Sequence, residues 1–329
     1  MTTIRDVAKH ANVSVATVSR VTNKKGYVSK EAEHAVLKSI KELNYRPNSV
    51  ARSLYHKTSG MIGLVLPDIS NPYFPELARA IEDVALTYGY TVVLCNTDEE
   101  IEKEKKYFDA LKQKYVDGII LTTSSLSFDE YEELDLPIVA LDRVIGDHIP
   151  TVVSNNREGG KTATEHLVKC DCKFLAHIRG PRGVNPADER YIGFKEVVNK
   201  LGIPNVVVDA NFNIDQAEKV TREILTKNPK IDGIFASSDV MAAGVMKAAH
   251  TVGKKIPEDL KLVGFDGIPL GDMLVPSLTT VEQSIYKMGA LSARLLIKQI
   301  EKVPLDSYYY ELPTTLKERE TTRQRGEIT

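Results

Sequence analysis

Short, uninterrupted apolar runs, set apart by amphipathic segments, constrain this chain most. Residues 61–66 read Met-Ile-Gly-Leu-Val-Leu, without one polar side chain. Such a strand must be covered on both faces, which points to a parallel sheet flanked by helices. A helical pattern follows at about 74–88, then an apolar run at 91–95 and a charged helical pattern at 99–114. Further apolar runs stand at 116–121 and 137–141. After Asn155 the rhythm restarts: helical patterns at about 158–168, 187–201, 215–226 and 240–252 alternate with runs at 174–178, 206–208, 233–236 and 260–265. A helix at 285–300 and a strand near 308–312 are expected to return to the first lobe. The alternation predicts an α/β core of two doubly wound parallel-sheet lobes. Two such lobes enclose a cleft, and ligands of such sheets sit at the carboxyl ends of the strands.

The first sixty residues read differently. Ile4, Val7, Ala8 and Ala11 are spaced as one apolar helical face. Asn12 suits a helix end, and Ser14 stands at an N-cap position before a second apolar period at Val15, Val18 and Val21. Two helices so joined predict a helix-turn-helix, whose second helix turns its first turn toward base edges. Val15, Ala16 and Arg20 are the outward candidates. Ser29, with Glu31 and Glu33, opens a third helix whose stripe is Ala32, Val36, Ile40 and Leu43, and Pro47 stops it. Residues 1–60 carry 11 basic and 4 acidic side chains, a net of +7; the remainder carries 32 and 41, a net of −9. A basic head on an acidic body fits a DNA-binding module joined to a domain that does not bind DNA. The expected division is a head at 1–46, a hinge helix and linker at 47–60, and a core at 61–329. Lobe one takes about 61–156 and 285–313, lobe two about 157–284 and 314–329.

Three cysteines, Cys95, Cys170 and Cys172, make neither an even disulfide framework nor a metal-ligand spacing. The N-terminus lacks an apolar h-region and no run approaches eighteen apolar residues, so a cytoplasmic, nucleoid-associated protein is expected. No leucine heptad follows Pro313, which favours dimers over tetramers built on such a tail. Enzyme signals are poor. Glu158-Gly159-Gly160-Lys161-Thr162 lacks the first glycine of a phosphate loop, no Gly-x-Ser-x-Gly elbow occurs, and the seven histidines form no zinc pattern. Neither enzyme activity, nor cofactor, nor metal is expected. The loops after strand ends instead collect aromatic, Asp, Arg, Asn and Gln residues. Among them are Pro67 to Phe74, Asp142-Arg143, Arg190, Asn211-Phe212, Ser237-Ser238-Asp239, Asp266 and Glu282-Gln283. A sugar asks for that mixture, because its C–H faces stack on rings and its hydroxyls seek charged or amide partners.

The motif Ile4-Arg5-Asp6-Val7-Ala8 with Val13 to Val21, followed by Tyr45-Arg46-Pro47-Asn48 and Val50-Ala51-Arg52-Ser53-Leu54, resembles the lactose-repressor family of bacterial transcription factors over the whole chain. The core is similar to that family's periplasmic-binding-protein-like sensor. The resemblance implies that Val15, Ala16 and Arg20 face the major groove, with Arg20 suited to guanine. It implies that Ser14, Thr17, Ser19, Asn23 and Tyr45 serve the phosphate side or packing. Paired hinges, close at the small Ala51 and with Arg52 among the DNA-binding residues, would each insert Leu54 as a wedge into the minor groove. Within the family the core is most similar to ribose-responsive regulators, and its pocket resembles that of ribose-binding transport proteins. On that resemblance Asn71, Tyr73, Phe74, Asp142, Arg143, Arg190, Phe212, Asp266 and Gln283 contact the sugar, and Ser238 stands where the pattern has Asn. The implied protein is a homodimeric repressor of a ribose operon, with double-stranded operator DNA and a small sugar, D-ribose, as partners and no membrane. Binding of the sugar releases the palindromic operator. A different pentose, a sugar phosphate or a nucleoside as effector, or ligand acting as co-repressor, is the alternative. A transport receptor fits the basic head poorly, and a sugar-modifying enzyme lacks a catalytic constellation.

Overall fold

The computed structural model describes residues 2–23, 26–45, 58–123 and 126–323. These fall into two compact units, Met1–Ser59 and Gly60–Thr329. The Arg46 to Lys57 stretch, with Ala51, Arg52 and Leu54, lies outside the described residues, as does the side chain of Asn23.

The first unit contains α1 (Ile4–His10), α2 (Val15–Asn23) and α3 (Lys30–Glu42). Thr3 caps α1 in a reciprocal pair: its hydroxyl accepts the Asp6 N–H at 3.3 Å, and the Asp6 carboxylate accepts the Thr3 N–H at 2.8 Å. Asn12 takes the left-handed conformation, φ 52°, after α1. The Ser14 hydroxyl accepts the Thr17 N–H at 3.1 Å, and the Ser29 hydroxyl accepts that of Ala32 at 3.3 Å. Each helix is too short to persist in water alone. They hold one another through Val7, Ala8, Val18 and Val36, with Ile4, Val21, Ile40, Leu43 and Tyr45 packed around that centre.

The second unit alternates strand and helix. Its first half runs β1 (Met61–Leu66), α4 (Tyr73–Thr87), β2 (Thr91–Asn96), α5 (Ile101–Gln113), β3 (Gly118–Leu121), α6 (Phe128–Glu132), β4 (Ile138–Leu141) and β5 (Thr151–Ser154). Its second half runs α7 (Asn156–Lys169), β6 (Leu175–Arg179), α8 (Asn185–Leu201), β7 (Asn205–Asp209), α9 (Ile214–Lys227), β8 (Gly233–Ala236) and α10 (Asp239–Thr251). It continues through β9 (Lys261–Asp266), α11 (Leu270–Met273) and β10 (Thr279–Glu282). Then come α12 (Ile285–Ile300), β11 (Tyr309–Leu312) and β12 (Thr315–Lys317).

Two six-stranded sheets result, ordered β11-β5-β4-β3-β1-β2 and β12-β10-β9-β8-β6-β7. The first is parallel throughout; in the second, β12 runs antiparallel to β10. The chain therefore crosses between sheets after β5, after β10 and after β11. In each sheet the strand order reverses beside the first strand, at β1/β3 and at β6/β8, and such switch points open crevices for ligands. The β1 run is buried as its composition requires: Ile62, Leu64 and Leu66 pack with Leu77 and Ile81 of α4 and with Met288 and Leu296 of α12. Helices α7 and α8 approach until their backbones touch. A Cβ on Gly160 would overlap the Arg190 carbonyl, and one on Gly193 would overlap that of Arg157. Close packing thus accounts for the glycine pair that superficially suggests a phosphate loop. Among the described residues no helix is long and apolar enough to cross a membrane.

Candidate functional site

The loops at the strand ends of both sheets enclose a cavity of about 270 Å³. Its wall includes Asn71, Tyr73 and Phe74 after β1, Asp142 and Arg143 after β4, Arg190 on α8, Phe212 after β7, and Asp266 at the end of β9. These are eight of the ten ligand residues that the sequence singles out. Gln283 stands one layer behind, its amide donating to the Asp266 carboxylate at 2.7 Å. Ser238 does not line the cavity; its buried hydroxyl accepts the Met241 N–H at 3.2 Å as the cap of α10. Five further carboxylate and amide residues line the wall, Asp68, Asp98, Glu99, Asn211 and Asn213, together with Pro67.

The wall is strained. Asp98, Glu99, Asp142, Asn211, Phe212 and Asp266 all have positive φ, from 47° to 113°. Asn and Asp tolerate the left-handed region, but Phe212 at 53° and Asp266 at 113° do not come cheaply. Strain of this kind collects where the surrounding structure over-determines a functional geometry.

Polar groups converge on the cavity. Arg190, 2% exposed, donates Nε–H to Asn156 Oδ1 at 2.8 Å and Nη1–H to the Ser237 carbonyl at 2.6 Å, and it meets Asp266 Oδ1 at 3.3 Å. Its guanidinium lies over the Phe265 ring, 3.8 Å from the centroid. Arg143 donates to the Asp142 backbone carbonyl at 2.8 Å and meets its carboxylate at 3.4 Å. Burial pushes the Asp142 and Asp266 carboxyls up, against the pull of these two guanidiniums. Burial, then the Asp142 and Asp266 charges, pushes the Tyr73 phenol well above its ordinary value, so it remains an O–H donor. Among the described residues, two buried wall atoms, Tyr73 Oη and Asp142 Oδ1, find no partner, nor does Gln283 Oε1 one layer behind. A buried polar atom without a partner costs about 1–3 kcal/mol. A small ligand rich in hydroxyls would satisfy the phenol and the Asp142 oxygen, while the Phe74 and Phe212 rings offer apolar faces. No acid, base and nucleophile stand in a relay here.

In the first unit, α2 exposes Val15, Ala16 and Arg20 on one side. The Arg20 stem lies along Gly26, where a Cβ would be 3.6 Å from Arg20 Cδ. Ser14 is engaged with Thr17, hydroxyl to hydroxyl at 2.9 Å, while Thr17 and Ser19 are half-buried. Tyr45 packs on the head's core.

Comparison with known proteins matches each unit separately. Residues 3–48 match the model of bacterial regulatory proteins of the lacI family. Residues 59–325 match that of periplasmic binding proteins and the sugar binding domain of the LacI family. The chain belongs to the LacI family. It is 73% identical, over 98% of both chains, to the ribose operon repressor of Halalkalibacterium halodurans. A LacI-type transcriptional regulator from Alkaliphilus metalliredigens, solved with D-xylulofuranose, is 37% identical. It covers 81% of this chain and 100% of its own, with a TM-score of 0.75. The lac repressor dimer bound to operator and an anti-inducer is 26% identical, covering 98% and 99% of the two chains, with a TM-score of 0.87. This LacI-family chain therefore has the two-lobed repressor fold that its strand–helix alternation and its head motif predict.

Proposed function

We propose that this chain is a dimeric transcriptional repressor of an operon for ribose uptake and catabolism. The observation that carries the reading is 73% identity to a ribose operon repressor along nearly the full length of both chains. The cavity supports it, because its unpartnered phenol and carboxylate oxygens suit hydroxyls. Head residues 1–46 read operator half-sites through Val15, Ala16 and Arg20, aided by Ser14, Thr17, Ser19, Asn23 and Tyr45. The hinge at 47–60 bends the centre through Leu54, with Ala51 and Arg52 beside it. Lobe one comprises about 61–156 and 285–313, and lobe two about 157–284 and 314–329.

Sugar bound between the lobes joins Asp142 and Arg143 of one to Arg190, Phe212 and Asp266 of the other. It favours the lobe angle in which all five groups reach it. A ligand shifts a two-state equilibrium only by its differential affinity for the states, and contacts from both lobes supply that difference. Three chain crossings tie the lobes, so a change of angle reaches the hinges and lowers operator affinity. The protein acts in the cytoplasm, at the nucleoid, and performs no catalysis. Calorimetric titration of the full chain with D-ribose, D-xylulose, ribose 5-phosphate and a nucleoside tests the effector. Heat with ribose alone supports the reading; heat only with another of the four replaces ribose by that compound.

A further inference from the structure

Asp239 opens α10, is fully buried, and does not line the cavity. Its Oδ2 accepts the N–H groups of Gly267 and Ile268, at 2.8 and 2.9 Å. Its Oδ1 accepts the Thr280 hydroxyl at 2.6 Å. The first two donors immediately follow Asp266, the cavity carboxylate whose φ of 113° an L-residue rarely adopts. The third comes from β10, the strand that leads to Gln283. The backbone of β9 is drawn against the same carboxylate: a Cβ on Gly264 would overlap Asp239 Oδ1. Gly267, at φ 78°, turns the chain where a Cβ would overlap Glu282. One side chain thus grips both N–H groups of the turn that aims Asp266 at the cavity.

We propose that Asp239 is a positioning residue for the ligand site, clamping the Gly267–Ile268 turn so that Asp266 keeps its strained, cavity-facing conformation. The inference rests on the reading of the cavity as a sugar site. Asp239 faces Asp266 of β9. Asp266 in turn faces Arg190 of α8, Asp142 of the loop after β4 and the Tyr73 phenol of α4. Burial, then the Asp266 charge, pushes the Asp239 carboxyl up.

Asparagine separates clamp from charge. Its carbonyl oxygen can accept both N–H groups, and its amide can donate to the Thr280 hydroxyl, which rotates to accept. Asp239→Asn thus keeps the clamp and drops the charge, whereas Asp239→Ala loses the clamp. The experiment is calorimetric titration of D-ribose into the full-length wild type and both variants, with folding checked by near-UV circular dichroism. Asp239→Ala should bind at least about tenfold more weakly. Asp239→Asn, which keeps the clamp, should bind within about threefold of wild type near neutrality. A folded Asp239→Ala that binds as wild type does overturns the proposal. If Asp239→Ala does not fold, Asp239→Ser, whose hydroxyl is one atom shorter and cannot accept both N–H groups, takes its place, and a folded Asp239→Ser that binds as wild type does overturns the proposal. A wild-type chain that binds no pentose at all overturns the sugar reading, and this inference with it.

Discussion

Replacing Arg190 by Ala tests how the cavity floor is held. Two unit charges 3.3 Å apart, as Arg190 and Asp266 are, attract by about 5 kcal/mol at an effective dielectric of about 20. Desolvation of both groups offsets most of that, so the ion pair by itself adds little to stability. Truncation costs more than the pair is worth, because of what it strands. The Asp266 carboxylate loses its cation, Asn156 Oδ1 and the Ser237 carbonyl lose their donors, and the Phe265 face loses its cover. The expected loss is about 3–5 kcal/mol, which in a two-lobed core of this size lowers Tm by roughly 6–15 °C. Ribose should give no measurable heat with this variant. Adding Asp266→Asn removes the stranded charge, so Arg190→Ala/Asp266→Asn should melt above Arg190→Ala alone. Calorimetric melts of the three ligand-free proteins read this directly. Arg190→Ala melting within about 2 °C of wild type, or a double variant less stable than the single one, would refute the reasoning.

Two other outcomes follow from the same structure. Arg20→Ala should cost roughly 1–3 kcal/mol of operator binding and relax discrimination at one base position; equal weakening on all duplexes in a mobility-shift series would exclude base reading by this side chain. His177, fully buried between Phe194 and Phe235, has its imidazole lowered to about 3 by burial. It is neutral, donating Nδ1–H to the Phe235 carbonyl at 3.0 Å. Because the folded value lies below the unfolded one, its contribution is present above the ordinary 6.5 and is lost as pH falls toward 3. The slope is about 1.4 kcal/mol per pH unit for one proton. His177→Phe should flatten the acid limb of stability in urea titrations, and equal slopes would show an imidazole that is already charged.

The parts of the fold that were legible are those with long, one-sided signals. The apolar β1 run and the patterns of α4, α8 and α12 stand out because many residues repeat one message. Strands β5, β10 and β12 carry no such signal: Thr151–Ser154, Thr279–Glu282 and Thr315–Lys317 are three or four residues each and hold only one or two apolar side chains. Only their place between neighbouring strands makes them strands, and tertiary context of that kind leaves little local trace. The cavity was legible where a loop follows a clear strand, as at Asn71 and Asp142. Asp98 and Glu99 were not read as part of it, because their left-handed backbone is imposed by the loop between β2 and α5. Ser238 enters the ligand set on the resemblance, as the residue standing where the pattern has Asn. The same residue type caps helices, and here the α10 N-terminus takes its hydroxyl. Thr3 with Asp6 is a capping box that the sequence carries openly, as Thr-x-x-Asp ahead of an apolar helix.

On the proposed function, sugar between the lobes controls the grip of the heads on DNA. The most direct measurement is fluorescence anisotropy of a labelled operator duplex, selected by the full-length chain from a random pool, titrated with and without saturating D-ribose at fixed salt. Ribose should weaken operator binding by about tenfold or more, and Arg190→Ala, if it still binds the duplex, should no longer respond. Operator affinity that ribose leaves unchanged, or raises, would contradict the proposed function.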